Sequence, residues 1–462
     1  MISRSANNVC FLLLAIAFTI PVLIGSATAF VVDVRHSKGS FSGSRQATTT
    51  IDRARNSFFS ALAAGGFGKA PTGKSSPSSK KIKKRMNSTP AYIPYDSEHG
   101  GSGSPQQQKQ QQATRALLEW LDEEEVEGLE DVEIGVSKPV GKGDAASPGL
   151  RGVFAKRDFL PGEYMVAVPF ISTLLVEEEF DPSTSNPGEV VLRADEPDVG
   201  FRFWETFFCR DNDAEDNNEK YKAFLDCLPM TPDDPNFDAT PDFWSEEDIR
   251  RLEIPGVIDK MLSRKEGIAG FADRAAASAA TADEKSDGET NTDVSSAAAL
   301  ATIQQCCWLV QSRAFTTYKK AMSIDGSVGL LSRVVLIPFI DMINHASRRL
   351  ANAEMQVVET KEYDESFYAL VATQPIAKGT EVTICYGTGE ETALEIFTKY
   401  GFWPEVEDPE KEKEALQKLL GGVEEWSTTL EEDQAMLATE KGSREPMRSI
   451  LSIRIYAKRH AV

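Results

Sequence analysis

The chain has little that could hold a metal or a disulfide framework. Its six cysteines, at 10, 209, 227, 306, 307 and 385, form no Cys-x-x-Cys pair, and the adjacent Cys306 and Cys307 cannot supply zinc-finger spacing. Cys10 sits in an N-terminal apolar lead, so five remain, an odd number that argues for free thiols over a complete set of bridges. Histidine is scarcer. Of four, His36, His99 and His460 lie in N-terminal stretches or near the C-terminus, which leaves His345 as the one placed for a site. Beyond residues 11–24 no stretch approaches the ~20 uninterrupted apolar residues of a membrane span, so no stable membrane insertion is expected. Positive charge is also short. The net charge is −21, yet residues 1–113 carry +10, so the rest carries −31. That field attracts cationic partners and disfavours nucleic acid, and it serves solubility equally well.

What is present at the N-terminus has the character of an address. Residues 1–29 combine Arg4, the apolar run Phe11 to Ile24 and the small-x-small site Ala27-Thr28-Ala29, the parts of a signal peptide. Phe30 to Arg85 is rich in Ser, Thr, Lys and Arg with only Asp33 and Asp52 acidic, a transit-like composition. The Ala29-Phe30 junction resembles bipartite presequences of algae with secondary plastids, which implies plastid import, with secretion as the alternative. Residues 74–112, with a basic cluster, a Gly-Ser segment and the glutamine run Gln106 to Gln112, read as linker, so 30–113 is expected to be disordered.

From Thr114 the pattern becomes that of a folded domain. Apolar residues across Ala116 to Leu121 recur at helical spacing, and strands are expected over Val132–Ser137, Gly152–Ala155 and Tyr164–Pro169. From Phe201 to Tyr318 the character is helical. Ser245 with Asp248 marks one helix start, and the Ala/Ser/Thr/Asp-rich stretch from Ala275 to Ala299 reads as a mobile loop. A strand is expected to end at Asn344-His345, followed by a hairpin over Glu354–Thr360 and Phe367–Thr373 and a strand over Val382–Tyr386. After Phe402 three amphipathic helices are expected, over Glu410–Leu420, Leu430–Leu437 and Met447–Lys458.

Two compact sets of special residues frame the stretch from Leu336 to Phe402. One is the run ending in Asp341, Asn344 and His345; the other is Tyr400-Gly401-Phe402. Upstream lie Gly149-Leu150-Arg151-Gly152, read as a loop whose glycines permit close backbone approach to a ligand, and Ser312-Arg313-Ala314-Phe315. Taken alone, His345 is equally a satisfied core histidine, Arg313 and Asp341 a salt bridge, and Tyr386, Tyr400 and Phe402 packed core aromatics.

In their order, these four motifs resemble the SET-domain protein-lysine methyltransferases, in the branch of the Rubisco large-subunit enzyme. The resemblance implies an α+β SET fold: a mainly β core with a knotted strand crossing, spanning 114–402, with a helical insert at about 201–318 and a short helical C-terminal lobe over 403–462. It implies transfer of a methyl group from S-adenosylmethionine to a lysine side chain of a protein substrate, by a monomer. Gly149, Leu150, Arg151, Gly152, Arg313, Asn344 and His345 are then expected to bind the cofactor, Tyr400 to be catalytic, and Asp341, Tyr386 and Phe402 to face the substrate. No metal is implied. A histidine methyltransferase of the same fold and a non-catalytic SET binding module are the alternatives. The tyrosine before Gly401-Phe402 favours lysine. Two departures, Glu390-Glu391-Thr392 where the family has Ser-Asn and the shortened tail, bear on activity and substrate identity.

Overall fold

The computed structural model describes residues 92–94, 105–137, 151–183, 193–208, 212–229, 240–283, 296–323, 326–359, 366–389, 391–422, 426–440 and 446–460. The expected signal and transit segments, Gly149, Leu150 and Glu390 lie outside them. The chain opens with β1 (Tyr92–Pro94), α1 (Pro105–Glu123), β2 (Val132–Ser137), β3 (Arg151–Ala155), β4 (Tyr164–Pro169) and β5 (Leu174–Asp181). Five helices follow: α2 (Pro197–Phe208), α3 (Asn212–Leu225), α4 (Glu246–Arg250), α5 (Pro255–Asp283) and α6 (Ser296–Arg313). Strands then resume as β6 (Phe315–Met322), β7 (Val328–Leu336), β8 (Asn344–His345), β9 (Ala353–Glu359), β10 (Ser366–Ala372) and β11 (Glu381–Ile384). The chain closes with α7 (Ala393–Tyr400), α8 (Pro409–Leu420), α9 (Leu430–Thr439) and α10 (Pro446–His460).

Among the described residues the strands form three small sheets, ordered β1-β2-β3-β11-β8, β4-β10-β9 and β5-β7-β6. The expected hairpin is β9–β10, with Leu370 opposite Met355. All pairings are antiparallel except β8 with β11, where Asn344 lies beside Thr383 and His345 beside Ile384. The sheets converge on one apolar core that includes Val153, Met165, Val334, Phe339, Tyr368 and Val382, and α2 adds Phe203 and Phe207 from one helical face. A second core joins the helices between β5 and β6 to the end of the chain: Trp244, Ile249 and Val257 meet Leu394, Phe397, Leu416, Ile450 and Ile453. The C-terminal helices thus share their core with the insert.

Four expectations change. The first helix begins at Pro105 and runs through the glutamine tract, and β1 also falls within the stretch read as linker; glutamine is a good helix former. Residues 275–299 are not all loop, since α5 extends to Asp283 and α6 starts at Ser296, as alanine-rich sequence favours. Helix gives way to strand at Phe315, before Tyr318. Finally, no strand runs into Asn344-His345. β7 ends at Leu336, Phe339 turns the chain at φ 73°, and a 3-10 turn over Ile340–Met342 precedes the two-residue β8. The buried Phe339 ring holds that rarely populated backbone conformation.

Candidate active site

The site is built where β8 enters between sheet and helix. Asn344 Nδ2 donates to the Arg151 carbonyl at 2.8 Å and to Glu381 Oε1 at 2.7 Å, tying β3, β8 and β11 together. Gly152 is required for this closeness: a Cβ there would lie 2.5 Å from Glu381 Oε1 and 2.8 Å from Asn344 Nδ2. Arg151 and Gly152 are therefore strand residues and not loop. Asn344 spends its amide hydrogens inside the protein, so its Oδ1 is what the side chain can offer a ligand. Glu381, just ahead of the expected strand Val382–Tyr386, proves to be part of the site. Burial raises its pKa, against the Asn344 hydrogen bond.

His345 accepts a hydrogen bond at Nδ1 from the Tyr386 backbone N–H, 3.0 Å away, which fixes the neutral tautomer with its proton on Nε2. Burial lowers its pKa, with Glu391 and Glu407 pulling the other way. Tyr386 donates its hydroxyl to the Ile343 carbonyl at 2.7 Å, so this ring also fixes the approach to Asn344.

Four rings gather here. The Tyr386 and Tyr400 centroids are 4.9 Å apart, His345 lies 5.2 Å from Tyr386 and 5.4 Å from Phe402, and Tyr400 lies 6.1 Å from Phe402. Burial pushes the Tyr386 phenol up to about 12. Tyr400 is also pushed up by burial, with Tyr386, Glu391 and Asp195 adding to the shift, so both remain phenols at neutral pH.

Tyr400 owes its place to α7. Thr392 caps that helix, its hydroxyl accepting from Glu395 N at 3.1 Å while Glu395 Oε2 accepts from Thr392 N at 2.9 Å. The departure at Glu391-Thr392 therefore supplies a capping box. At the other end Gly401 takes φ 81° and donates to Phe397 O at 2.8 Å, a left-handed turn that delivers Phe402 next to Tyr400.

Arg313 closes α6 and turns to Asp341. Its Nη1 donates to Asp341 Oδ2 at 3.2 Å and to the Asp341 carbonyl at 3.1 Å, so the salt bridge weighed above is present. The Asp341 side chain is fully buried and its Oδ1 lacks a hydrogen-bond partner; burial raises its pKa, with Arg313 and Arg151 opposing. Beside His345 and Tyr386 opens a cavity of about 300 Å³ whose other walls include Ser347, Arg348, Cys385, Glu391, Glu405 and Glu407. Ser347, Arg348, Glu405 and Glu407 carried no sequence signal, because they come from loops far apart in the chain. Among the described residues four cysteines, 227, 306, 307 and 385, are free thiols, and no group of three or more His, Cys, Asp or Glu residues is arranged to hold a metal. Among the same residues no helix is long and apolar enough to cross a membrane.

The structure thus brings Arg151, Gly152, Arg313, Asp341, Asn344, His345, Tyr386, Tyr400 and Phe402 to one place. A family model described as the SET domain matches residues 150–387, just over half of the 462 residues. Among solved structures, the SET domain of LSMT bound to lysine and AdoHcy is similar at 15% identity and a TM-score of 0.48, over 76% of this chain and 89% of that one. The same domain bound to methyllysine and AdoHcy gives 15% identity and 0.46, over the same shares of the two chains. No curated protein sequence matches.

Proposed function

The chain belongs to the SET-domain family, and from that premise we propose that it transfers a methyl group from S-adenosylmethionine to the side-chain amine of a lysine in a protein substrate. The observation that carries this reading is the packing of Tyr386, Tyr400 and Phe402 around the Asn344-His345 segment, with the Arg313–Asp341 pair beside it. The residues present fit the cofactor. An imidazole and a phenol ring wall the cavity next to Glu391, Glu405 and Glu407, a set suited to an adenosine that carries a positive sulfonium. When bound, S-adenosylmethionine supplies an electrophilic methyl group; what the protein adds is alignment.

Each residue has a definite task in that alignment. Tyr400 stays protonated, so its oxygen orients the amine by accepting an N–H hydrogen bond and does not act as a phenolate base. The Tyr386 and Phe402 rings form an apolar passage that disfavours the ammonium form of a lysine, whose unperturbed pKa is about 10.4, and so supplies the free amine. Asp341, buried and held by Arg313, supports the acceptor side from behind. His345, neutral through its bond from Tyr386 N, presents its Nε2 proton. The tyrosine before Gly401-Phe402 favours lysine over histidine, and the N-terminal address directs the search for substrate to the plastid.

The test is incubation of the full chain with labelled S-adenosylmethionine and a plastid lysate, wild type beside Tyr400→Phe, followed by mass spectrometry of labelled peptides. Label on lysine that falls by about 100-fold or more in the variant is expected, the usual loss for one aligned hydrogen bond at a reacting centre. Label on histidine would overturn the lysine assignment. A folded protein that binds no donor would overturn methyl transfer altogether.

A further inference from the structure

Tyr400 is the final residue of an eight-residue helix, a position where the backbone frays unless something outside the helix holds it. The residue before it does not project freely into solvent. Lys399 Nζ lies 3.3 Å from Asp195 Oδ2, with the two side chains only 20% and 17% exposed, so water screens the pair less than it would at the surface. Gln311 Nε2 of α6 approaches the Lys399 carbonyl at 3.5 Å.

Asp195 is itself fixed from the insert. Arg264 of α5, almost fully buried, donates Nη1 to the Asp195 carbonyl, Nε to Asp242 Oδ1 at 2.9 Å and Nη2 to the Cys307 carbonyl at 3.1 Å. Arg193 Nε adds a contact to Asp195 Oδ1 at 3.3 Å. Burial alone would raise the Asp195 pKa, yet Lys399 and Arg193 hold it below the ordinary carboxylate range. An anion set in place by α5 therefore grips the ammonium next to Tyr400, and its charge acts on the phenol as well.

We propose that the Asp195–Lys399 ion pair is a positioning device, through which the helical insert sets the orientation of the Tyr400 ring. The proposal rests on the reading of Tyr400 as the tyrosine of methyl transfer. Its physical content is specific. Without the pair the last turn of α7 keeps its Gly401 N to Phe397 O bond, the soft Gln311 contact and the packing of the Tyr400 ring on Tyr386 and Phe402, but it loses its ionic tie to Asp195, and the phenol oxygen is held less firmly. A misplacement of ~1 Å at a reacting centre costs roughly 100-fold in rate without weakening the binding of the donor.

The experiment uses the full chain labelled with 3-fluorotyrosine, in wild type, Asp195→Asn, Lys399→Met and Lys399→Arg, with the Tyr400 resonance assigned by its loss in Tyr400→Phe. Wild type and Lys399→Arg are expected to give one narrow Tyr400 fluorine resonance. Asp195→Asn and Lys399→Met should broaden or displace it while thermal midpoints stay within about 4 °C of wild type. In turnover, the same two variants should lose about tenfold or more in kcat with KM for S-adenosylmethionine nearly unchanged, and Lys399→Arg should restore kcat. A resonance identical in all four proteins overturns the proposal, and so does a Lys399→Arg variant that behaves like Lys399→Met. The fluorine readout needs no turnover, so an inactive wild type would count against the proposed reaction alone and leave this inference to be decided by the spectra.

Discussion

Asp341 shows how one side chain couples the candidate chemistry to stability. Its carboxyl is buried, with a pKa raised by burial despite Arg313 and Arg151. A raised acid favours the folded state most at pH below the unfolded value of about 3.9, and that contribution is lost as pH rises through the folded pKa. Asp341→Asn is therefore expected to flatten the decline in thermal midpoint between acid and neutral pH relative to wild type, a difference that scanning calorimetry across pH would read; equal slopes would contradict it. At this scale the sequence marked most of the site. His345, Asn344, Tyr400 and Phe402 were visible because the order of their motifs resembles that of the SET-domain family, whereas taken alone each reads equally well as core. The use of Asn344 was not visible. Its partners, Arg151 and Glu381, lie 193 and 37 residues away, and only the pairing of β8 with β11 makes them neighbours.

Among the elements, α7 matters most to the site, because eight residues must carry Tyr400 to a fixed position. The capping box of Thr392 and Glu395 is expected to stabilise the fold by about 1 kcal/mol, so Thr392→Ala should lower the urea midpoint by a corresponding amount with the m-value unchanged. An unchanged midpoint would mean the cap contributes nothing. Helices, hairpin and strand positions were legible from pattern, since β9 alternates over Ala353 to Val357, β10 is a short aromatic and aliphatic run, and α10 repeats its apolar residues at 450, 453 and 457. The turn from β7 into β8 was not, because Ile337 to Ile343 is apolar except for Asp341 and such a run reads as strand; the positive φ of Phe339 is imposed by tertiary packing and leaves no local signature. The glutamine tract misled in the opposite sense, low complexity standing in for disorder where the residues themselves favour helix.

On the scale of the whole molecule, the insert and the C-terminal helices are bolted together by a buried ionic network. Asp433 accepts from Lys458 Nζ at 2.6 Å and from Arg454 Nε at 3.2 Å, and Arg454 Nη1 reaches Glu253 Oε1 at 2.8 Å. Burial alone would raise the Asp433 pKa, but Lys458, Thr428 and Arg454 hold it down. Its stabilising effect is thus present above about pH 3.9 and is lost as pH falls through the lower folded value. Asp433→Asn should cost about 3–5 kcal/mol, as expected when buried Lys458 loses its carboxylate and Arg454 keeps only Glu253, and denaturant titration at neutral pH would measure it. A loss under about 1 kcal/mol would show the network to be dispensable. This joint also fixes an order of assembly on the ribosome. The apolar face of Trp244, Ile249 and Val257 emerges long before Ile450, Ile453 and Arg454 exist to cover it. At ordinary translation speed that face waits roughly 10–40 s, an interval in which aggregation competes with completion of the chain.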